Sequence, residues 1–84
     1  MSARSRRKSF HTPAYGRILA LLRRMREDAG LTQETLAKRL KRTRTYVTKC
    51  ELGERRLDVL EWIEFCRACR VDPLTAFRKL LRRN

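Results

Sequence analysis

The stretch LTQETLAKRLKRTRTYVTKCELG, residues 31–53, decides the fold of this chain. Thr32 and Thr43 each stand before a short helical pattern, where a threonine oxygen can accept a hydrogen bond from a free N–H group of the first turn. These caps predict helices over 33–40 and 44–51. The sequence therefore predicts two short helices that meet across a three-residue turn.

The second of these helices buries little of its surface. Val47 and Cys50 are its inward positions, and the other side carries bases and threonines that would not be chosen to fill a core. We call these outward residues the outward quartet: Arg44, Thr45, Thr48 and Lys49. An ordinary solvated helix face is the alternative interpretation of the quartet.

Three further helices are predicted, each after a side chain that can cap it. They are 13–29 after Thr12, 59–69 after Asp58 with Glu61, and 73–81 after Asp72. Gly30 should end the first of them as a left-handed cap. We therefore expect an all-α, five-helix domain over 12–84, preceded by a disordered basic arm over 1–11. The arm is either a solubilising tail or a contact to the minor groove or phosphates.

The charge of the chain points to a polyanionic partner. Its 84 residues carry a formal net charge of +13, from 22 Lys and Arg against 9 Asp and Glu. No apolar run approaches the ~20 residues of a membrane span, and no signal-peptide pattern is present, so we expect a cytoplasmic protein without a membrane partner. The one histidine, His11, has no serine or cysteine at a plausible local spacing, so an enzyme is not predicted.

The three cysteines predict neither a metal site nor a cofactor. Cys66 and Cys69 form a C-x-x-C pair, but only Cys50 and His11 remain as further ligands, and neither has the spacing of a zinc site. The pair also falls inside a helical pattern. We interpret all three cysteines as free thiols that fill small apolar positions.

Residues 31–53 resemble the lambda-repressor-like helix-turn-helix family, which includes Cro, phage repressors and the xenobiotic-response-element (XRE) type. Members read "LTQ..LA..L", then a turn, then "s.s.vs..E.G", and this stretch follows both parts. The resemblance continues less sharply over LRRMREDAG before it and RRLDVLEWIEFCRACRVDPL after it. It implies a bacterial or phage-encoded transcriptional regulator that binds double-stranded DNA sequence-specifically. We expect a repressor, and an activator is the open alternative.

The resemblance also implies roles for individual residues. The third helix would lie in the major groove, so that the outward quartet reads base edges. The second helix would cross the DNA backbone, with the Gln33 amide on a phosphate and bracing Arg44. The residues expected at the DNA backbone are Gln33, Thr32, Lys41, Arg42, Thr43, Tyr46 and Arg55.

Two positions depart from the family pattern, which usually has glycine in the turn and at the end of the fourth helix. Lys41 and Arg70 stand there instead, and a left-handed backbone should cost each roughly 1 kcal/mol relative to glycine. Lys41 lies beside the expected DNA face, so a phosphate contact is a reason to keep the strain.

The predicted fourth helix is apolar nearly all round, more than a domain of this size can bury. We expect a two-fold homodimer through the fourth and fifth helices, which would set two recognition helices about one DNA turn apart on an inverted repeat. The expected interface residues are Trp62, Phe65, Leu74 and Phe77.

Two other classes of function stay open. An antitoxin-like module would seat its apolar fourth and fifth helices on a partner protein, with DNA binding secondary. A nucleic-acid-binding protein indifferent to sequence would need only the charge.

Overall fold

A computed structural model describes residues 12–82, which form five α-helices and, within that range, no strand. The helices are α1 Pro13–Asp28, α2 Gln33–Leu40, α3 Arg44–Leu52, α4 Val59–Ala68 and α5 Pro73–Leu81. The predicted all-α, five-helix fold is confirmed, because each helix begins and ends within one residue of its predicted bounds. The arm predicted over 1–11 lies outside the described residues.

Each helix begins at the side chain that the sequence predicts as its cap. The cap oxygen accepts a hydrogen bond from the backbone N–H three residues further on, at 2.7 to 3.2 Å. At α4 the pairing is reciprocal, since Glu61 Oε1 accepts from the backbone N–H of Asp58 at 3.0 Å. The five caps are Thr12, Thr32, Thr43, Asp58 and Asp72.

The first four helices end in the same left-handed turn. Gly30 and Gly53 have φ of 75° and 81°, and Lys41 and Arg70 adopt φ of 58° and 60° without being glycine. In every case the N–H that follows donates to a carbonyl five residues back, at 2.8 to 3.1 Å, as in a Schellman motif. The left-handed backbone expected at Lys41 and Arg70 is therefore confirmed.

The core lies where all five helices meet. α1 packs on α3 and α5, α2 packs on α3 and α4, and α4 packs on α5. The residues with no exposed surface are Leu22, Leu36, Val47, Cys50, Phe65, Cys66 and Ala76. All three cysteines are buried free thiols, as predicted. Among the described helices none is both long and apolar enough to cross a membrane.

Candidate nucleic-acid interface

α3 packs against the core along one narrow stripe, and the rest of its surface faces solvent. Val47 and Cys50 have no exposed surface, which anchors the helix along the predicted inward positions. Three of the outward quartet, Arg44, Thr45 and Lys49, are exposed, whereas Thr48 is half-buried at the edge of the stripe. The structure thus brings the quartet together on one accessible face.

A largely buried ion pair, which the sequence analysis did not identify, joins α3 to α1. Arg26 donates to both carboxylate oxygens of Glu51, from Nε at 2.6 Å and from Nη2 at 3.2 Å. The exposed fractions of the two side chains are only 12% and 5%, and Arg26 Nη1 also donates to the Leu31 carbonyl at 2.9 Å. The hydrogen bond from Glu51 raises the pKa of Arg26. This guanidinium therefore joins α1, the start of the helix-turn-helix and α3.

The sequence does contain a signal for this pair. Glu51 is the acidic residue of the "E.G" element and follows directly on the inward Cys50, so its helical position lies beside the core. Arg26 is likewise adjacent to the buried Met25. Charged residues next to inward positions on two helices are candidates for a pair, although only the packing shows that they meet.

Gln33 continues the network from α2 and corrects one expectation. Its Nε2 donates to Glu51 Oε1 at 2.9 Å, and its Oε1 accepts from the Thr48 hydroxyl at 2.8 Å. The prediction that Gln33 braces Arg44 is therefore wrong, because the two ends of the Gln33 amide are bonded to Glu51 and Thr48. The glutamine does brace α3, one turn further along than expected.

A second cluster joins the turn, α3 and the loop before α4. Two guanidinium groups lie over the Tyr46 ring, with Arg42 Cζ 4.1 Å and Arg55 Cζ 4.9 Å from its centroid. Glu61 holds both arginines, since Arg55 donates to its two oxygens at 3.0 and 3.3 Å and Arg42 Nη2 lies 3.5 Å from Oε2. We call this the arginine–tyrosine cluster.

The surroundings of Tyr46 change the pKa of its phenol. Burial raises the pKa of Tyr46 to about 12, although the positive charges of Arg42 and Arg55 act in the opposite direction. The phenol therefore stays neutral at ordinary pH and can donate or accept a hydrogen bond. Three residues expected at the DNA backbone, Arg42, Tyr46 and Arg55, are thus brought together, and Glu61 is the member that the sequence analysis missed.

The other residues expected at the DNA backbone have separate surroundings. Thr32 and Thr43 are exposed, and their hydroxyl oxygens cap α2 and α3. Lys41 is exposed between the two helices. One N–H group in the first turn of α2 and one in the first turn of α3 are thus bonded within the chain.

The residues expected at a dimer interface do not all lie on the surface. Phe65 has no exposed surface, and the expectation that it forms an interface is wrong, because its side chain belongs to the core of the single chain. Leu74 and Phe77 are exposed by 58% and 49%. With the half-buried Trp62 they line an apolar groove of about 500 Å³ between α1, α4 and α5.

The cysteines lie away from the outward face of α3 and show no feature of a reactive site. Burial raises the pKa of the Cys66 and Cys69 thiols to about 11, so they are protonated at neutral pH. Across residues 12–82 no group of three or more His, Cys, Asp and Glu side chains is placed to hold a metal ion.

Comparisons with known proteins agree with this geometry. The helix-turn-helix domain family matches residues 17–77, from α1 into α5. Among solved structures, an XRE-family like protein from Pseudomonas syringae pv. tomato is similar, with 43% sequence identity and a TM-score of 0.80. The similarity covers 92% of this chain and 94% of that one. No curated protein sequence is significantly similar.

Proposed function

The chain belongs to the XRE-like helix-turn-helix family, and on that premise we propose that it binds double-stranded DNA sequence-specifically and represses transcription. α3 is the recognition helix and enters the major groove. Its outward quartet reads base edges. Arg44 and Lys49 can donate to the two acceptors of guanine, and Thr45 and Thr48 can each form a single hydrogen bond with a base edge.

One observation carries this proposal, namely that α3 is held rigidly by one face while the other carries donors into solvent. Glu51 and Gln33 tie the helix to α1 and α2 through hydrogen bonds of 2.6 to 3.2 Å, and Val47 and Cys50 anchor it in the core. Rigid placement limits the conformational entropy lost when side chains bind base edges. A helix face that contacts only solvent would not require these hydrogen bonds to the neighbouring helices.

Contacts to the DNA backbone complete the proposed interface. Tyr46 of α3 forms a basic and aromatic surface with Arg42 and Arg55, and Lys41 adds a further charge in the turn. Such contacts position a protein on the duplex and make its affinity depend on salt, without selecting a sequence. The remaining members of the proposed set are Gln33, Thr32 and Thr43.

The proposal includes a two-fold homodimer through α4 and α5. Phe77 lines the apolar groove and is 49% exposed, so a two-fold axis would let each protomer place its Phe77 against the groove of its partner. Trp62 and Leu74 would border the contact. We expect two recognition helices on one face of an inverted repeat.

Selection from random duplexes tests sequence specificity. The selected duplex and a scrambled one are then titrated at several salt concentrations, and we expect the selected site to bind at least ~10³-fold more tightly. Equal affinities with only a steep salt dependence would contradict sequence reading. Arg44→Ala should weaken the selected site selectively, whereas Arg24→Ala, which removes an equal charge from an exposed α1 position, should not.

Two further measurements address repression and assembly. A reporter promoter overlapping the selected site should lose expression when the protein is present, and a gain of expression would indicate an activator. Sedimentation at tens of micromolar should show a dimer that Phe77→Glu dissociates. Leu60→Glu, at an exposed α4 position that does not line the groove, is the control and should leave the dimer intact.

A further inference from the structure

The hydrogen-bond chain from Arg26 to Thr48 leaves no freedom in the placement of its protons. A guanidinium only donates, so the Glu51 oxygens that face Arg26 act as acceptors. Glu51 Oε1 also faces the Gln33 amide at 2.9 Å. Because an ionised carboxylate only accepts, the Gln33 NH₂ group must point to Glu51, and the Gln33 oxygen must point the other way.

The orientation of the amide in turn decides what Thr48 can do. Its hydroxyl lies 2.8 Å from Gln33 Oε1, and an amide oxygen only accepts, so the single hydroxyl proton of Thr48 is committed to Gln33. Only the lone pairs of Thr48 Oγ1 remain for another partner. Thr45, an exposed member of the same quartet without such a bond among the described residues, keeps its proton for DNA.

We infer that Thr48 reads DNA only as a hydrogen-bond acceptor, and that Glu51 and Gln33 are the positioning residues that impose this. In the major groove the donors on base edges are the N6 amino group of adenine and the N4 amino group of cytosine. Guanine O6 and thymine O4 are acceptors, and either of them would face the Thr48 oxygen without a proton between them. The base to which the Thr48 hydroxyl oxygen hydrogen-bonds should therefore be adenine or cytosine.

The inference rests on the proposed function, and its test begins from the selected operator. Every position of that duplex is replaced by each of the other three bases, and the affinities of the wild type and of Thr48→Val are compared. Valine has the shape of threonine without the hydroxyl, so the position whose base preference it abolishes is the one that Thr48 reads. There we expect the wild type to bind adenine or cytosine about tenfold more tightly than guanine or thymine.

Three variants separate the acceptor role from general effects on binding. Thr48→Ser keeps the hydroxyl and should keep the preference, and Thr45→Val should leave this position unchanged. Gln33→Met removes the oxygen that holds the proton, so the freed hydroxyl can rotate and donate, and guanine or thymine should become tolerated. Loss of a Gln33 phosphate contact would lower the affinity of all duplexes alike and would not change their ratio.

The outcomes distinguish this inference from the proposed function. If the wild type selects no site, the proposed function fails. If it selects a site but prefers guanine or thymine where Thr48→Val acts, or if Thr48→Val changes no position, only the inference is overturned. A folded Gln33→Met protein that keeps the adenine or cytosine preference also overturns it, and if that variant does not fold, the profiles of Thr48→Val and Thr48→Ser decide.

Discussion

Replacing Glu51 by glutamine should be among the most damaging conservative changes in this chain. Glutamine has nearly the same size but no charge, and it would leave the Arg26 guanidinium, 12% exposed, without an anionic partner. Glu51 also accepts three hydrogen bonds, two from Arg26 and one from Gln33. An amide has only one oxygen, so its NH₂ group would face one of these donors.

Breaking a buried ion pair by removing one partner costs about 3 to 5 kcal/mol. Small domains have a total stability of about 5 to 15 kcal/mol, so Glu51→Gln should remove a large part of it. In a domain of this length each 1 kcal/mol lowers Tm by about 4 to 8 °C. We therefore expect Tm to fall by about 12 °C or more, measured by circular dichroism together with urea unfolding.

Glu27→Gln is the matched control, because Glu27 pairs with Arg23 at 3.1 Å but is 54% exposed. An exposed pair of this kind contributes about 0.5 kcal/mol. The double variant Arg26→Met with Glu51→Leu removes both charges and should recover much of the loss. If Glu51→Gln destabilises the protein no more than Glu27→Gln, the buried pair does not hold α3 in place and the argument is refuted.

Three further predictions concern backbone strain and ionisation. Lys41→Gly and Arg70→Gly should each raise the free energy of unfolding by up to about 1 kcal/mol in urea titrations, and no stabilisation would mean that the left-handed backbone is unstrained. Lys41→Gly should also weaken DNA binding if the Lys41 charge contacts a phosphate. Tyr46, with a pKa of about 12 against an ordinary 10.0, should ionise late in an ultraviolet titration. Since its folded pKa is raised, its contribution to stability is present below pH 10 and is lost as the pH rises towards 12; ionisation near its ordinary value would contradict this. Cys66 and Cys69, with pKa near 11, should react with thiol reagents at neutral pH much more slowly in the folded protein than in urea, and equal rates would show that they are accessible.

Much of the fold follows from local rules in the sequence. The caps at Thr32 and Thr43 act over three residues, as in the first turn of any helix. They involve neighbours along the chain, so their geometry is set by the backbone itself. This is why the bounds of all five helices were predictable to within one residue. The left-handed ends at Lys41 and Arg70 were expected from the resemblance to the family, because local rules favour glycine there.

The pairing of side chains across helices was decided by the tertiary structure alone. Gln33 was expected to brace Arg44, but the packing of α2 on α3 carries its amide to Thr48 and Glu51, 15 and 18 residues away. Phe65 was expected on the surface because α4 is apolar nearly all round. The other helices pack against the face of α4 that carries Phe65, and its side chain is therefore buried in the core. Periodicity shows which residues share a helix face, but it does not show which face meets which neighbour. The sequence by itself thus determined the helices, their caps and the exposed donors of α3, whereas the contacts that orient those donors depend on distances between helices that only the folded chain sets.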